Sequence, residues 1–261
     1  MALPVSPPRS SADRLESGDT GWGVYALQSY LNYVTPSLNL VEDGHFDGPH
    51  TSYTTNAVIL FQSKNGLLVD GIVGPATQRR LILVAAAKIE KSISNLPVGA
   101  LRGVLETESG FKLDEVNWAV PGGVDCGSSQ RRVYTPFTQA ALKLAFGWQG
   151  LRQSASELLA RRNSFLGLPW VGSSRERAGR LALFAHNWPH VGGADYYAQH
   201  GHVSNPNGAC AWLPRTKLGL LYLKFPDGAL VKTRQDWAEF LAMGGIHGEG
   251  KYARYVSAGG W

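Results

Sequence analysis

The stretch DGHFDGPHT, Asp43 to Thr51, returns as DGIVGPAT, Asp70 to Thr77, with one residue deleted. Each copy is a Gly-rich turn ending in Gly-Pro, and Pro is favoured in the first turn of a helix. Each copy therefore reads as a turn that launches a helix. The helices carry a matching face. Val24, Leu27 and Gln28 in GVYALQSYLN correspond to Val58, Phe61 and Gln62 in NAVILFQSKNG. Both read V-x-x-[LF]-Q, an i, i+3, i+4 pattern on one helical face. Residues 13–83 thus form a small, self-contained three-helix domain. Gln28 and Gln62 read better as amides that close turns than as ligand contacts. The turns around Asp43 and Asp70 are the better contact candidates, because loops carry binding.

Working outward, the N-terminal MALPVSPPRSSADR is rich in Pro and Ser and reads as a disordered tail over residues 1–12. It lacks the apolar core and small-residue cleavage site of a secretory signal. On the other side, LILVAAAKIEKSI (Leu81 to Ile93) is rich in helix formers and has no Gly or Pro. It is expected to make a stiff helical connector over 84–96, broken at Asn95-Leu96-Pro97. The remaining chain, 84–261, is a second domain. Its charge differs from the first part: residues 1–84 carry 5 Lys+Arg against 7 Asp+Glu (−2), and 85–261 carry 20 against 13 (+7). Such asymmetry suits an anionic polymer as partner. No Lys/Arg-rich run appears, which argues against nucleic acid. No apolar run approaches the roughly 20 residues that span a bilayer, so no stable membrane insertion is expected. Cys126 and Cys210 fit no zinc or redox spacing. They read as buried thiols, or as a disulfide in an oxidising compartment.

The second domain opens with LPVGALRGVLETESGF, one helix ending near Ser109-Gly110, since Gly is a common helix stop. Leu101, Val104, Leu105 and Glu108 fall at i, i+3, i+4 and i+7, which puts Glu108 on the core-facing stripe. Glu106 points elsewhere and lies four residues after Arg102, an exposed pairing. Burial and the negative end of a helix dipole both favour a protonated carboxyl, and a protonated carboxyl can donate to a glycosidic oxygen. The pattern alone equally suits a structural acid paired with an arginine or a backbone group.

Two resemblances sharpen this. Gly18-Asp19-x-Gly21, Leu27-Gln28, Asp43-Gly44-x-Phe46, Thr51, Ala57-Val58, Phe61-Gln62 and DGIVGPAT resemble the peptidoglycan-binding three-helix domain of cell-wall enzymes. That implies a wall-binding role for Asp43, Asp70 and Gln62. Glu108-Ser109-Gly110-Phe111 resembles the E-S motif of soluble lytic transglycosylases and goose-type lysozymes. Asp125-Cys126-Gly127-Ser128-Ser129-Gln130 looks like that family's D-x-G-L-M-Q segment, with Ser-Ser in place of Leu-Met. Ala185-His186-Asn187-Trp188, Gly192-Gly193 and Tyr196-Tyr197 resemble its A-Y-N-x-G…Y stretch, with His186 where Tyr is usual. The resemblance implies Glu108 as general acid, then base. It implies Ser109, Gln130 and Asn187 as substrate contacts, and Tyr196 or Tyr197 holding the Glu108 carboxyl. Trp118 and Trp188 are candidates for stacking on sugar faces or for the core.

A two-carboxylate hydrolase needs a partner acid ~5–5.5 Å away to retain or ~6.5–9.5 Å to invert. Asp114, Glu115 and Asp125 are the local candidates, with Asp125 foremost. Without one, the sugar's own C6 hydroxyl attacks and a 1,6-anhydromuramyl end forms. The second outcome is favoured. A rival reading is a zinc peptidase using His186, His190, His200 and His202, whose H-x-H and H-x3-H spacings suit zinc. Pro189 interrupts a helical His pair, and Asp195 and Tyr197 stand out of register with the H-x-x-G-x-A-x-D pattern of D-Ala peptidases. A binding-only wall protein is a further alternative. The expectation is a mainly α protein with a little β in its lysozyme-like second domain. It would act as a monomeric, phage-type endolysin without metal or cofactor on glycan strands and anionic wall polymers. It would wait in the host cytoplasm until released to the wall. Leu213 to Trp261 match no pattern.

Overall fold

The computed structural model describes residues 3–182, apart from 10–11, 48–51, 97–98, 119–121, 169–170, 174, 176–177 and 180–181. The architecture is mainly α. Among the described residues six helices run in chain order: α1 (Trp22–Val34), α2 (Tyr53–Lys64), α3 (Pro75–Ser92), α4 (Ala100–Glu108), α5 (Gln139–Phe146) and α6 (Trp148–Phe165). A short 3-10 helix, Pro36–Leu38, follows α1. Between α4 and α5 lies a three-stranded antiparallel sheet in the order β1 (Val116–Asn117), β2 (Gly123–Cys126), β3 (Arg131–Tyr134). Among the described residues no helix is long and apolar enough to cross a membrane.

The chain divides into two compact units. One combines residues up to 92 with 108–154, and the other combines 93–107 with the described residues from 155 onward. In the first unit α1 is buried along ten consecutive residues, Trp22 to Leu31. A one-sided amphipathic helix would not be. Besides α2 and α3 it meets residues 108–154. Trp22 stacks on Phe146 of α5 at 5.3 Å between ring centroids, Tyr33 stacks on Trp148 at 4.1 Å, and the Tyr30 and Ser128 hydroxyls hydrogen-bond at 2.5 Å. A Cβ at Gly23 would lie 2.8 Å from Asp114 Oδ2, so any larger residue there has to displace the buried Asp114 carboxyl. The three-helix segment therefore shares its core with residues 108–154. Its central helix carries more apolar surface than two neighbours can cover, and burying each large apolar side chain contributes roughly 1.5–3 kcal/mol.

Residue 84, where the sequence suggested a boundary, falls inside α3, whose Ala85, Ala86 and Ile89 are buried. The N-terminal segment also departs from expectation. Leu3 is buried, and three backbone carbonyls accept side-chain donors: Leu3 O from Gln139 Nε2, Ser6 O from Trp22 Nε1 and Pro8 O from Trp118 Nε1. Prolines hold a chain extended and leave its carbonyls open to such donors. In the second unit the Arg102–Glu106 pair forms at 3.9 Å with both side chains exposed, and Arg162 Nη1 donates to Asn95 O.

Candidate functional site

The two repeat turns are built alike. Gln28 lies on α1, and its Nε2 donates to Asp43 Oδ1 (3.3 Å), His45 O (2.8 Å) and Thr54 Oγ1 (3.3 Å), while Oε1 accepts from Gly44 N (3.0 Å). Gln62 lies on α2, and its Nε2 donates to Asp70 Oδ1 (2.8 Å), Ile72 O (2.8 Å) and Thr77 Oγ1 (3.3 Å). Its Oε1 accepts from Asp70 N (3.2 Å) and Gly71 N (3.0 Å). Each glutamine thus closes the turn that follows it, at 2% and 1% exposure. Gln62, a wall-contact candidate on resemblance, has its amide spent internally. The turns end in Phe46 and Val73, both fully buried. Phe46 N donates to Asp19 O, and Val73 exchanges backbone hydrogen bonds with Leu15.

This bonding corrects the alignment of the repeats. The partner equivalent to Thr77 is Thr54, whereas sequence alone paired Thr77 with Thr51, which lies outside the described residues. Asp43 and Asp70 each accept, through Oδ1, the backbone N–H two residues on. That N–H from Ile72, then the Gln62 amide, hold the exposed Asp70 carboxyl below its ordinary range. The copies differ in length. Gln28 and Asp43 are 15 residues apart, Gln62 and Asp70 only 8. The extra seven residues form one wall of a cavity of about 610 Å³ beside the first turn, lined in part by Leu38, Val41, Asp43 and Tyr53. Sequence reasoning missed Leu38, Val41 and Tyr53. The unequal spacing between the two Gln–Asp pairs was the available signal.

Glu108 is the last residue of α4 and half-buried. On the same helix Leu101, Val104 and Leu105 are fully buried, and Glu106 is exposed. The chain leaves the helix through Gly110 (φ 57°) and Phe111 (φ 64°), both left-handed. Ser109 is buried, and its carbonyl accepts from Lys112 N. Phe111 is buried under the Arg79 guanidinium, 4.4 Å from the ring centroid.

Asp125 lies on β2 opposite Arg132 of β3. Arg132 donates to both its oxygens, at 2.9 and 3.1 Å. Gln130 ends the β2–β3 turn at φ 50°, and its Nε2 donates to Glu115 O (3.1 Å) and Gly127 O (3.0 Å). Both of its N–H donors close the loop, so a ligand contact through this residue would use Oε1. Ser128 and Ser129, in place of a Leu-Met pair, are both buried. Asp114 is 4% exposed, and burial pushes its carboxyl up to about 6. Cys126 carries a buried free thiol, pushed up to about 12 by that burial and then by Asp125. Trp118 is exposed and meets Phe137 edge-on at 6.0 Å. Among the described residues no group of three or more His, Cys, Asp or Glu could hold a metal. Asn187, Trp188, Tyr196, Tyr197, Cys210 and the four histidines lie outside the described residues.

Residues 20–81 match the peptidoglycan binding domain family. The glutamine-closed turns and the cavity lie within these matched residues. An N-acetylmuramoyl-L-alanine amidase, CwlL of Bacillus licheniformis, is 37% identical over 84 residues, 32% of this chain and 22% of the relative. The chain thus spans about a fifth of that relative's length. The crystal structure of a Burkholderia AP3 phage endolysin is 28% identical over 43% of each chain, with a TM-score of 0.24, too loose a superposition to carry a structural argument.

Proposed function

We propose that the chain is a cell-wall-degrading enzyme of the endolysin type, which cuts the β-1,4 bond between N-acetylmuramic acid and N-acetylglucosamine. Residues 13–83 hold the wall and 84–261 do the cutting. The observation that carries this reading is Glu108, a half-buried carboxyl closing α4 directly ahead of the small sheet, in a chain with a peptidoglycan-binding module. Glu108 protonates the leaving O4 as the glycosidic bond breaks. The C6 hydroxyl of the muramyl residue then attacks C1, and the Glu108 carboxylate takes its proton, which closes a 1,6-anhydro ring without water. The bidentate grip of Arg132 on Asp125 supports a single-carboxylate mechanism, since that candidate partner is already committed. Hydrolysis at the same site, with water as nucleophile, is the alternative. Gln130 through Oε1, with Ser109, Asn187, Tyr196 and Tyr197, would orient sugar and acid. The enzyme stays in the host cytoplasm until released to the wall, and its excess of positive charge after residue 84 draws it to anionic wall polymers.

A second reading, amide cleavage with zinc on His186, His190, His200 and His202, is favoured by the printed name of the amidase relative. Mass spectrometry of digested sacculi separates the three. Anhydromuramyl ends are expected. Reducing muramyl ends would replace the transglycosylase step with hydrolysis, and free stem peptides on intact glycan would overturn glycan cleavage altogether.

A further inference from the structure

The cavity beside the first repeat turn is walled by chain that the second copy lacks. The segment that walls it lies within residues 35–42, where the first copy runs seven residues longer than the second. It is held in place by the Asn32 side chain, whose Nδ2 donates to Leu40 O (2.9 Å) and Glu42 Oε1 (3.1 Å) and whose Oδ1 accepts from Leu40 N (2.8 Å). Asn39 turns the segment in a left-handed conformation, φ 47°. The wall is therefore fixed before any ligand arrives, which lowers the ordering cost of binding. At about 610 Å³ the cavity lies in the range of small-ligand sites, roughly 300–1,000 Å³.

Its lining selects a chemistry. Asp43 and Asp47 contribute carboxylates beside the His45 imidazole, and among the described residues neither Lys nor Arg lines the cavity. The Asp47 oxygens are committed to Thr54 N and Thr55 N at the start of α2, and Asp43 spends Oδ1 on its turn. The second Asp43 oxygen can accept from a ligand hydroxyl or amide N–H. Tyr53 is 74% exposed and Val41 73%, both at the cavity, although large apolar groups gain by leaving water. A flat aromatic ring, an aliphatic wall and a carboxylate acceptor suit a neutral, hydroxyl-bearing ring with an apolar face. A stem peptide carries carboxylates of its own, which the two aspartates repel.

We propose that this cavity is the glycan-recognition site of the wall-binding module. It takes an N-acetylhexosamine residue of the strand, with Tyr53 against the sugar face, Leu38 and Val41 against the acetyl methyl, and Asp43 accepting from a hydroxyl. The second copy, around Asp70, is a structural turn. This inference rests on the wall-degrading reading above and assigns the binding step to one of two similar turns.

The test is co-sedimentation with purified sacculi, using the full chain carrying Glu108→Gln so that the wall is not consumed. Tyr53→Ala is expected to weaken binding about tenfold, the scale of a buried aromatic anchor, and Val41→Ala to weaken it less. Leu68→Ala, equally exposed on the second copy, should bind as the parent does. Chitotetraose should compete with the parent for sacculi and compete much less with the Tyr53→Ala chain. Parental binding by both Tyr53→Ala and Val41→Ala, or competition by a free stem tetrapeptide but not by chitotetraose, would overturn the assignment while wall binding stands. A parent chain that does not sediment with sacculi would overturn wall binding itself.

Discussion

Replacing Asp114 by Asn should flatten the pH dependence of stability between pH 4 and 6.5. Asp114 is 4% exposed, and Ala12 N donates to both its oxygens, at 3.0 and 3.2 Å. Burial raises its carboxyl from 3.8 to about 6, against the lowering effect of that N–H. The unfolded chain releases this proton near 3.8, and the folded protein holds it to about 6. Between those values the native state binds more protons than the unfolded chain, so stability falls as pH rises. The contribution is fully present below 3.8 and lost above about 6. A gap of about 2 pH units at 1.36 kcal/mol each gives about 3 kcal/mol. Asn keeps an oxygen for Ala12 N–H and does not titrate. Its amide adds a cost that does not vary with pH and cancels between pH values. Urea unfolding followed by tryptophan fluorescence at pH 4, 5, 6 and 7 gives the difference between variant and parent. That difference should move by about 2.4 kcal/mol toward the variant from pH 4 to pH 7, since at pH 4 part of the proton is already lost from the unfolded chain. A difference constant within about 0.5 kcal/mol would refute the reasoning.

Glu108→Gln should reduce wall lysis by at least about 100-fold, the lower end of general acid catalysis, and Glu106→Gln should change it less than twofold. A turbidity assay on sacculi checks both, and equal losses would sink the assignment. Gln62→Ala should cost about 3 kcal/mol by chemical denaturation, since it strands buried backbone groups of the Asp70 turn. Leu68→Ala, 78% exposed, should stay within about 0.5 kcal/mol. Raising salt should slow lysis, because the +7 of residues 85–261 acts through screened charges. A rate unchanged from low to high salt would remove that steering.

What could be read from sequence was local. V-x-x-[LF]-Q marked Gln28 and Gln62, because an amide at that spacing lies on the face behind the turn it closes. Ser109-Gly110 marked the end of α4, because Gly110 takes a left-handed φ there. Thr54 could not be identified as the equivalent of Thr77. That equivalence depends on where α2 begins, at Tyr53, and not on the Gly-Pro that resembles the start of α3. Asp125 and Gln130 were read from the sequence motif as site candidates. Their commitments to Arg132, Glu115 and Gly127 arise from strand register, which no spacing announces. The N-terminal strap was invisible, because its acceptors are backbone carbonyls and its donors, Trp22, Trp118 and Gln139, lie far along the chain.

The burial of α1 on two sides bears on how such a protein can be recombined. A chimera joined at residue 83 would carry Trp22, Tyr30 and Tyr33 away from Phe146, Ser128 and Trp148, and leave those six side chains facing water or an unfamiliar neighbour. The compact unit joins residues up to 92 to residues 108–154, so a graft has to carry both stretches and bridge 93–107. A graft that respects that seam keeps the Trp22–Phe146 and Tyr33–Trp148 stacks in one piece.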